Sequence, residues 1–373
     1  MIFHIPFSPL RPDGLTIQMP CTAVAGPEQT EQRITFLPAE WHPQSGVQLT
    51  WPHAHTDWAP MLAEVTECYV RIALEIALRE QLLIVTPEPE QVESLLHERL
   101  SARALANIHI FQCPTNDTWA RDHAFITLVT QTGPFLLDFC FNGWGGKFPA
   151  DLDNAINARL ASYLHGTYQN NLDFVLEGGS IESDGAGTIL TTASCLLAPH
   201  RNQPLTRQDI EQRLMSSLCA DRVIWLEHGH LEGDDTDGHI DTLARFCPGG
   251  VITYVQCSDP HDAHYDDLQA MELELRALEP EYKLIPLPMP APVLDPEDGH
   301  RLPATYANFL IINGAVLMPV YDQPANDERA RVQLQSAFPR HEIIPIDCRV
   351  LVRQHGSLHC CTMQYPVGVM PGK

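Results

Sequence analysis

The sequence predicts an α/β fold of repeated units arranged in a ring, within a single domain. Helical and strand patterns alternate along the 373 residues, and the strands that directly follow helices begin near positions 107, 172, 222, 282 and 342. Their spacing of 65, 50, 60 and 60 residues is typical of a circular array of similar units rather than of a doubly wound parallel sheet. No low-complexity linker divides the chain, which favours one domain.

The individual elements follow from hydrophobic spacing and from turn signals. Residues 60–80 carry apolar side chains at helical spacing, Gln131-Thr132-Gly133 marks a hairpin turn, and Thr206 is a candidate helix cap. Helices are predicted at 60–80, 89–105, 151–164, 206–218, 263–278 and 326–338. Strands are predicted at 82–86, 107–112, 124–130, 135–141, 172–176, 188–192, 222–226, 251–256, 282–286, 307–313, 316–320 and 342–347.

The two ends of the chain differ in composition. Residues 1–33 are rich in Pro and Gly and are interpreted as an irregular extension, which leaves one domain at 34–373. The Pro-rich segment 286–303 interrupts a unit and is interpreted as a long surface loop. No signal peptide and no apolar run of about 18 residues is visible, so we expect a cytoplasmic protein that does not insert into a membrane.

Charge and cysteine content restrict the classes of partner. The net charge of −24 argues against nucleic acid and anionic membranes, which need a basic face, and is compatible with a cationic substrate. The eleven cysteines are odd in number and form no CxxC pair. Most lie in apolar runs, as expected of free thiols in a reducing compartment: Cys140, Cys195, Cys247 and Cys257.

An acidic segment, GDDTDGHIDTLARF at 233–246, is the most unusual part of the chain. Asp235 and its acidic neighbours precede His239, and Asp241 follows. Carboxylates held close together raise one another's pKa, and a bound cation relieves that repulsion. The alternation after Asp237 predicts a strand with His239 and Asp241 on one face. We therefore expect a site for a positively charged ligand beside a titratable imidazole.

Four further segments lie at predicted turns or strand ends. They are TNDTWARD at 115–122, FNGWGGK at 141–147, LEGGS at 176–180 and HGSLHCCT at 355–362. The glycine-rich segment matches neither GxxxxGK[ST] nor GxGxxG, so it does not predict a phosphate-binding loop. Each segment also has a purely structural interpretation, as a turn, an aromatic anchor or a glycine at positive φ.

Two kinds of chemistry remain open from the residues alone. A metal-dependent hydrolase is one, because histidines and acids are numerous, but HExxH and structural zinc spacings are absent. The other pairs a Cys360 thiolate with the His239 imidazole, and Glu177 orients that imidazole. Asp122 and Asp241 then bind a planar cation, because a guanidinium matches carboxylates bidentately. These residues fall in separate units, which favours the second interpretation.

At this point the sequence resembles the agmatine deiminase family, which also contains bacterial-type peptidylarginine deiminases. The resemblance rests on the five segments described above, with LHC at 358–360, and extends from about Leu37 to the C-terminus. It implies the pentein fold, a five-bladed α/β propeller. Residue by residue it implies a site made of the nucleophile Cys360, the catalytic His239, the orienting Glu177, the guanidinium-binding Asp122 and Asp241, the tunnel-lining Trp119, and Asp235 facing a distal amine.

The resemblance also implies a reaction. It is hydrolytic deimination through a covalent amidino-cysteine intermediate, without metal or organic cofactor, and agmatine would give N-carbamoylputrescine, a putrescine precursor, and ammonia. Free arginine and peptidylarginine are the alternative substrates, and a non-catalytic cation-binding pentein is the alternative of another class. Family members commonly self-associate, and the resemblance leaves the oligomeric state open, with a homo-oligomer as one alternative. The chain departs from the usual GGGN before the nucleophile motif, with His355 and Ser357 replacing Gly and Asn.

Overall fold

The computed structural model describes residues 2–5 and 35–372. The predicted irregular extension at 1–33 lies largely outside these residues. Within it, however, Phe3–Ile5 forms a strand that pairs in parallel with Ile108–Gln112. That part of the extension is therefore not irregular, because its backbone continues the edge of a sheet.

The described chain contains eighteen strands and twelve α-helices, most of which fall into five consecutive units. Two short strands come first, β1 (Phe3–Ile5) and β2 (Thr35–Phe36). Unit 1 contains β3 (Gln44–Thr50), α1 (Leu62–Ala77), β4 (Gln81–Thr86), α2 (Pro89–Arg99), α3 (Ala102–Leu105) and β5 (Ile108–Gln112). Unit 2 contains α4 (Ala120–His123), β6 (Ile126–Thr130), β7 (Phe135–Cys140), α5 (Gly143–Gly146), α6 (Asp151–Asn154), α7 (Ile156–Leu160) and β8 (Thr167–Val175).

The remaining units are more compact. Unit 3 contains β9 (Ile181–Ser183), β10 (Thr188–Thr192), α8 (Ala193–Leu196), α9 (Arg207–Leu218) and β11 (Arg222–Leu226). Unit 4 contains β12 (Ala244–Cys247), β13 (Val251–Gln256), α10 (Tyr265–Arg276) and β14 (Lys283–Pro288). Unit 5 contains β15 (Leu310–Ile312), β16 (Ala315–Val320), α11 (Pro324–Ala337) and β17 (Glu342–Asp347). The chain ends with α12 (Arg349–Val352) and β18 (Thr362–Pro366).

The same strand pairing recurs in every unit. A first strand pairs antiparallel with the second, and the second pairs in parallel with a third that follows the helical segment. In unit 1 the first strand is β18, the last of the chain, which pairs antiparallel with β3. The C-terminal strand thus completes the unit begun near the N-terminus. The predicted closed array of five units is confirmed.

Local sequence signals explain where several elements begin and end. Thr206 caps α9 in a capping box, because its side chain accepts from the Asp209 amide and the Asp209 carboxylate accepts from the Thr206 amide. Along α1, Val65, Tyr69 and Ile72 are completely buried, as the helical spacing predicted. The predicted free thiols Cys140, Cys195, Cys247 and Cys257 are free in the structure.

Three predicted elements need correction. The helix predicted at 89–105 is broken at Leu100, which is extended, and Ser101 starts α3 by accepting a hydrogen bond from Ala104. The helix predicted at 151–164 is two short helices that meet at Ala155. The strand predicted to carry His239 and Asp241 is instead a 3-10 turn over Ile240–Thr242, so the two side chains do not alternate across a sheet.

Apolar packing joins neighbouring units. The largest buried cluster combines many side chains of units 1, 4 and 5 with a few of units 2 and 3, and two smaller clusters connect unit 1 with unit 2 and unit 2 with unit 3. Nearly all strands therefore contribute to a shared interior, which fixes the relative positions of the turns between units. Across residues 2–5 and 35–372, none of the helices has the length and apolar character that crossing a bilayer requires.

Candidate active site

The turns that precede the first strand of each unit, called entry turns here, each contribute a buried polar side chain to one centre. In every unit this side chain lies two to four residues before the first strand. The residues are Asp122 before β6, Glu177 before β9, Asp241 before β12, Asn308 before β15 and Cys360 before β18. Equivalent positions in a repeated fold place these groups together, and His239 joins them from the turn that carries Asp241.

The turn at Gly178–Ser180 shows how closely three of these groups approach. A Cβ atom on Gly179 would lie 2.6 Å from His239 Nδ1, 2.9 Å from Asp122 Oδ1 and 3.2 Å from Asp241 Oδ2. Only glycine leaves this space free. The Gly179 amide also donates to Asp122 Oδ1 over 3.0 Å, so the glycine both positions one carboxylate and keeps the centre open.

The Cys360 thiol lies among polar partners in this centre. Asn308 Nδ2 donates to Cys360 Sγ over 3.3 Å, and Asp241 Oδ2 lies 3.9 Å from the same sulfur. Burial raises the pKa of Cys360 well above its ordinary value, and the nearby charges of Asp241 and Asp122 raise it further. In the absence of a bound cation, this residue is therefore a thiol at neutral pH.

His239 is completely buried beside a carboxylate. Its Nδ1 lies 3.7 Å from Asp122 Oδ1. Burial lowers the pKa of His239, but the charge of Asp122, the contact with Cys195 and the charge of Glu177 outweigh burial, and the pKa stands well above 6.5. The imidazole is therefore protonated at neutral pH and is able to donate a proton.

Glu177 lies between His239 and the guanidinium of Arg201. Its Oε1 accepts from Arg201 Nε over 2.9 Å, and both side chains are fully buried. Ligand atoms of Glu177, Cys195 and His239 all lie within 4.8 Å of one another. The carboxylate is placed to influence His239 electrostatically, and its hydrogen bond is made to Arg201.

Asp122 and Asp241 differ in their remaining capacity to accept hydrogen bonds. Asp122 Oδ2 accepts from Trp144 Nε1 over 3.0 Å, and burial raises the pKa of Asp122. Burial also acts to raise the pKa of Asp241, but the hydrogen bond and charge of His359 outweigh it and the pKa is lowered. Asp241 Oδ1 is buried and accepts no hydrogen bond from the described residues. An anionic oxygen without a donor is a suitable partner for an incoming cation.

A chain of buried charges lies behind Asp241. His359 Nδ1 donates to Asp241 Oδ2 over 2.7 Å, and its Nε2 lies 2.6 Å from Glu40 Oε2. Arg245 is fully buried and pairs with both Glu40, over 2.7 Å, and Glu182. This network holds Asp241 in its ionised form.

Two groups of side chains among the described residues have the proximity of metal ligands. One is Glu177 with Cys195 and His239, and the other is Glu40 with Glu182 and His359. In each group an arginine already binds the carboxylates, Arg201 in the first and Arg245 in the second. The positive charge that such carboxylates attract is thus supplied by the chain itself, and the fit to a metal ion is poor.

A pocket of about 650 Å³ connects this centre with the surface. It is lined by Asp122 and Cys360 at one end, and by the aromatic side chains Trp119, Trp144 and Phe148. A Cβ on Gly356 would lie 2.3 Å from the Trp119 ring, so this glycine lets the indole pack against the nucleophile loop. The pocket wall suits the aliphatic part of a narrow substrate.

Asp235 and His355 face each other at the pocket mouth. His355 Nδ1 donates to the Gly233 carbonyl over 2.6 Å and lies 3.8 Å from Asp235 Oδ2. Burial raises the pKa of Asp235, and the charge of His355 partly offsets that rise. His355 has φ of 63°, a conformation that favours glycine, which is the residue the resemblance leads one to expect here.

The structure thus brings the predicted site residues together. Cys360, His239, Glu177, Asp122 and Asp241 form the centre, and Trp119 and Asp235 line the pocket. Cys361 is buried elsewhere, against Tyr69. Sequence reasoning missed four side chains: Asn308, His359, Arg201 and Trp144. Asn308 has a recognisable signal, because the fifth unit had no assigned residue at the equivalent position.

A closed array of five α/β units, with a thiol, a protonated imidazole and carboxylates where its entry turns meet, defines a pentein enzyme of the guanidino-modifying class. A family model of the Porphyromonas-type peptidyl-arginine deiminases matches residues 36–366, and the chain belongs to that family. The family membership and the enzyme class expected from the sequence are both confirmed.

Individual relatives cover most of the chain. The agmatine deiminase of Pseudomonas savastanoi pv. phaseolicola is 32% identical over 357 residues, which are 88% of this chain and 95% of the relative. A solved C. jejuni agmatine deiminase variant with substrate bound has 38% identity and a TM-score of 0.83, covering 90% of this chain and 97% of the other. A Porphyromonas gingivalis protein provisionally described as an arginine deiminase has 52% identity and a TM-score of 0.85, covering 90% of this chain and 100% of the other.

Proposed function

We propose that this chain hydrolyses agmatine to N-carbamoylputrescine and ammonia, with residues 34–373 acting as one catalytic domain. The observation that carries the proposal is the placement of the Cys360 thiol beside Asp241, whose Oδ1 has no hydrogen-bond donor among the described residues, with the protonated His239 in the same buried centre. A guanidinium supplies the missing donors and presents its carbon to the sulfur.

The charge state of the thiol changes when the substrate binds. Without a ligand, Asp241 and Asp122 raise the pKa of Cys360, so little thiolate is present. A guanidinium bound by the same carboxylates cancels their charge, which lowers the thiol pKa next to an electrophilic carbon. The thiolate nucleophile is therefore generated only where the substrate is bound, and the thiol of the ligand-free enzyme is protected from alkylation.

The reaction proceeds through two substitutions at the guanidino carbon. Binding of the guanidinium releases the Cys360 thiol proton to solvent, the thiolate Sγ forms a bond to this carbon, and His239 gives its proton to one of the substrate's terminal nitrogens. The C–N bond breaks and ammonia leaves, which produces an amidino-thioether on Cys360. His239, now neutral, removes a proton from water, which attacks the same carbon. As the C–S bond breaks, the remaining hydroxyl proton passes to solvent and the ureido product leaves. Cys360 is then a thiolate and His239 is protonated again.

Two other residues assist these steps. Asn308 holds the loop of the nucleophile, because its Oδ1 accepts from the His359 amide over 2.8 Å while its Nδ2 contacts Cys360 Sγ. Glu177 faces His239 and stabilises the positive charge that the imidazole carries before it protonates the leaving nitrogen. Asn308 thus orients the nucleophile and Glu177 the proton donor, and the rate of the reaction depends on the orientation of both groups.

The pocket mouth favours a substrate with a positive far end. Asp57 and Asp235 line the pocket, and Lys147 beside this mouth is occupied by the Asp235 carbonyl and by Asp237 at 2.7 and 2.8 Å. The α-carboxylate of arginine would be repelled by these acids, whereas a terminal ammonium is attracted to them. Arginine is nevertheless the second candidate substrate, because of the 52% identity to the Porphyromonas gingivalis protein.

The decisive experiment measures ammonia release from agmatine, arginine and an N-acylarginine amide, with Cys360→Ser and Cys361→Ser in parallel. We expect turnover of agmatine, its loss in Cys360→Ser, and its retention in Cys361→Ser, since Cys361 contacts Tyr69 and not the pocket. Trapping of a covalent adduct at Cys360 by acid quench and mass spectrometry tests the intermediate. Activity on arginine alone would refute the assignment of agmatine as substrate but agree with the mechanism. Full activity of Cys360→Ser would refute the mechanism.

A further inference from the structure

Arg201 connects the catalytic centre with the pocket mouth through a single buried guanidinium. Its side chain is fully buried. Nε donates to Glu177 Oε1 over 2.9 Å, Nη1 to Asp237 Oδ2 over 2.6 Å, and Nη2 to the Thr236 carbonyl over 2.8 Å. One planar group thus bonds both the catalytic centre, at Glu177, and the pocket mouth, at Thr236 and Asp237.

The two ends of this connection face different parts of the substrate. Glu177 lies beside His239, which handles the proton of the leaving nitrogen. Thr236 and Asp237 directly follow Asp235, the acid at the mouth. We call Asp235–Asp237 the mouth loop. A displacement of this loop is transmitted to Glu177, because a guanidinium has a rigid fork of donors and cannot turn toward one partner without loosening the other.

The two carboxylates that Arg201 contacts differ in their exposure to solvent. Asp237 is about one-third exposed, whereas Glu177 is completely buried. Lys147 holds the mouth loop from the solvent side, through the Asp235 carbonyl and Asp237 Oδ1. The Arg201–Asp237 contact is thus the weaker end of the connection, and a ligand that fixes Asp235 in place strengthens it.

We propose that Arg201 is a positioning residue that couples recognition of the substrate's far cation to the placement of Glu177 and His239. This inference rests on the proposed function. Binding energy gained at a remote group accelerates a reaction when it is used to order the catalytic groups. A substrate with a terminal ammonium therefore gains in kcat as well as in KM, since its contact with Asp235 holds the loop that positions Arg201.

The test compares agmatine with pentylguanidine, in which a methyl group replaces the terminal ammonium. For the wild-type enzyme we expect a kcat ratio of agmatine to pentylguanidine of roughly ten, on the scale of about 1.4 kcal/mol for each tenfold change. Asp237→Asn removes the charge that Arg201 contacts and tolerates the backbone φ of 65° at this position. We expect this variant to lower the kcat for agmatine about fivefold and to change that for pentylguanidine less than twofold.

Lys147→Met is the matched control, because it releases the same loop from the solvent side without touching Arg201. We expect it to raise KM for agmatine and to leave the kcat ratio as in the wild type. Arg201→Lys, whose single ammonium cannot span both partners, serves as a second variant and should behave like Asp237→Asn. Thermal unfolding of each variant checks that the fold is intact.

The outcomes separate the two proposals. If the wild type does not turn over agmatine, both the proposed function and the proposed coupling through Arg201 are wrong. If agmatine is turned over but the wild-type ratio is near one, the coupling alone is refuted. Equal losses of kcat on both substrates in Asp237→Asn, or the same change of the ratio in Lys147→Met, would show that Arg201 is merely structural.

Discussion

His359 donates from Nδ1 to Asp241 Oδ2 over 2.7 Å, so the residue next to the nucleophile in sequence bonds the carboxylate that faces it across the site. This hydrogen bond is part of the reason that the pKa of Asp241 is lowered although the carboxylate is completely buried. The nucleophile loop and the cation-binding turn are thereby fastened to each other, with the buried Glu40 and Arg245 behind them.

The first prediction concerns His359. His359→Ala removes a donor to an ionised group, which is worth about 1.5–3 kcal/mol, or roughly a 10- to 100-fold loss of kcat/KM. His359→Asn retains a donor near the Nδ1 position and should recover part of that loss, mainly through KM. Steady-state kinetics on agmatine measures both variants. Equal activity of His359→Ala and the wild type would mean that Asp241 does not need this bond.

The second prediction uses Asp241→Asn, for which two readouts change in opposite directions. Turnover should fall by at least about 100-fold, since the substrate cation loses a buried charged partner worth about 3 kcal/mol. The pKa of Cys360 should fall, because Asp241 is the strongest of the charges that raise it. Alkylation of Cys360 by iodoacetamide at pH 8 should therefore become roughly three- to tenfold faster than in the wild type.

Peptide mass spectrometry assigns the alkylated cysteine in that experiment, and Cys360→Ala provides the background. Cys361, which is completely buried, should remain unmodified in all variants. Slower alkylation of Cys360 in Asp241→Asn would contradict the charge assignment, even if turnover were lost as expected.

The third prediction separates two adjacent glycines. A Cβ on Gly179 would meet side-chain atoms of His239 and Asp122, which line the open centre, whereas a Cβ on Gly178 would lie 2.2 Å from the backbone carbonyl of Arg121. Gly179→Ala should therefore abolish turnover with little loss of stability. Gly178→Ala should lower the free energy of unfolding by about 1–3 kcal/mol, because the backbone cannot yield easily. Urea unfolding and ammonia release on both variants provide the comparison, and the opposite pattern would contradict the geometry.

The repeated fold could be predicted from sequence because its third strands follow clear helices. The third strands at 222–226 and 342–347 occur where hydrophobic patterning predicts them, as do the second strands at 188–192 and 251–256. The short first strands, such as β9 and β12, were not predicted, because three or four residues carry too little periodicity. The break at Leu100 was also missed, since the Ser101 cap lies within an otherwise helical pattern.

The site residues could be predicted to the extent that they lie in distinctive segments. Asp122, Glu177, His239 and Cys360 do so, and the structure brings them together. Asn308 lies in no such segment, and only the equivalence of the five entry turns identifies it. Arg201, His359 and Arg245 act through long-range pairs whose partners are 24 to 319 residues away, and no local pattern records such contacts.

The fourth prediction concerns stability as a function of pH. Glu80 is buried, its Oε2 accepts from the Asn313 amide, and its Oε1 has no partner among residues 2–5 and 35–372. Burial raises the pKa of Glu80 from 4.5 to about 7. Because the folded-state pKa is the higher one, the folded protein holds this proton more tightly than the unfolded chain does. The contribution of Glu80 to stability is therefore complete below pH 4.5 and is lost as the pH rises through 7.

Glu80→Gln removes this dependence, because glutamine does not ionise. Relative to the wild type, the variant should gain stability between pH 5 and pH 8 by up to about 3 kcal/mol, the equivalent of the pKa difference. Urea unfolding at the two pH values measures the gain, and Glu90→Gln, at an exposed position in the first turn of α2, is the matched control. A pH-independent difference between Glu80→Gln and the wild type, or an equal gain in the control, would show that the Glu80 carboxyl does not carry the raised pKa.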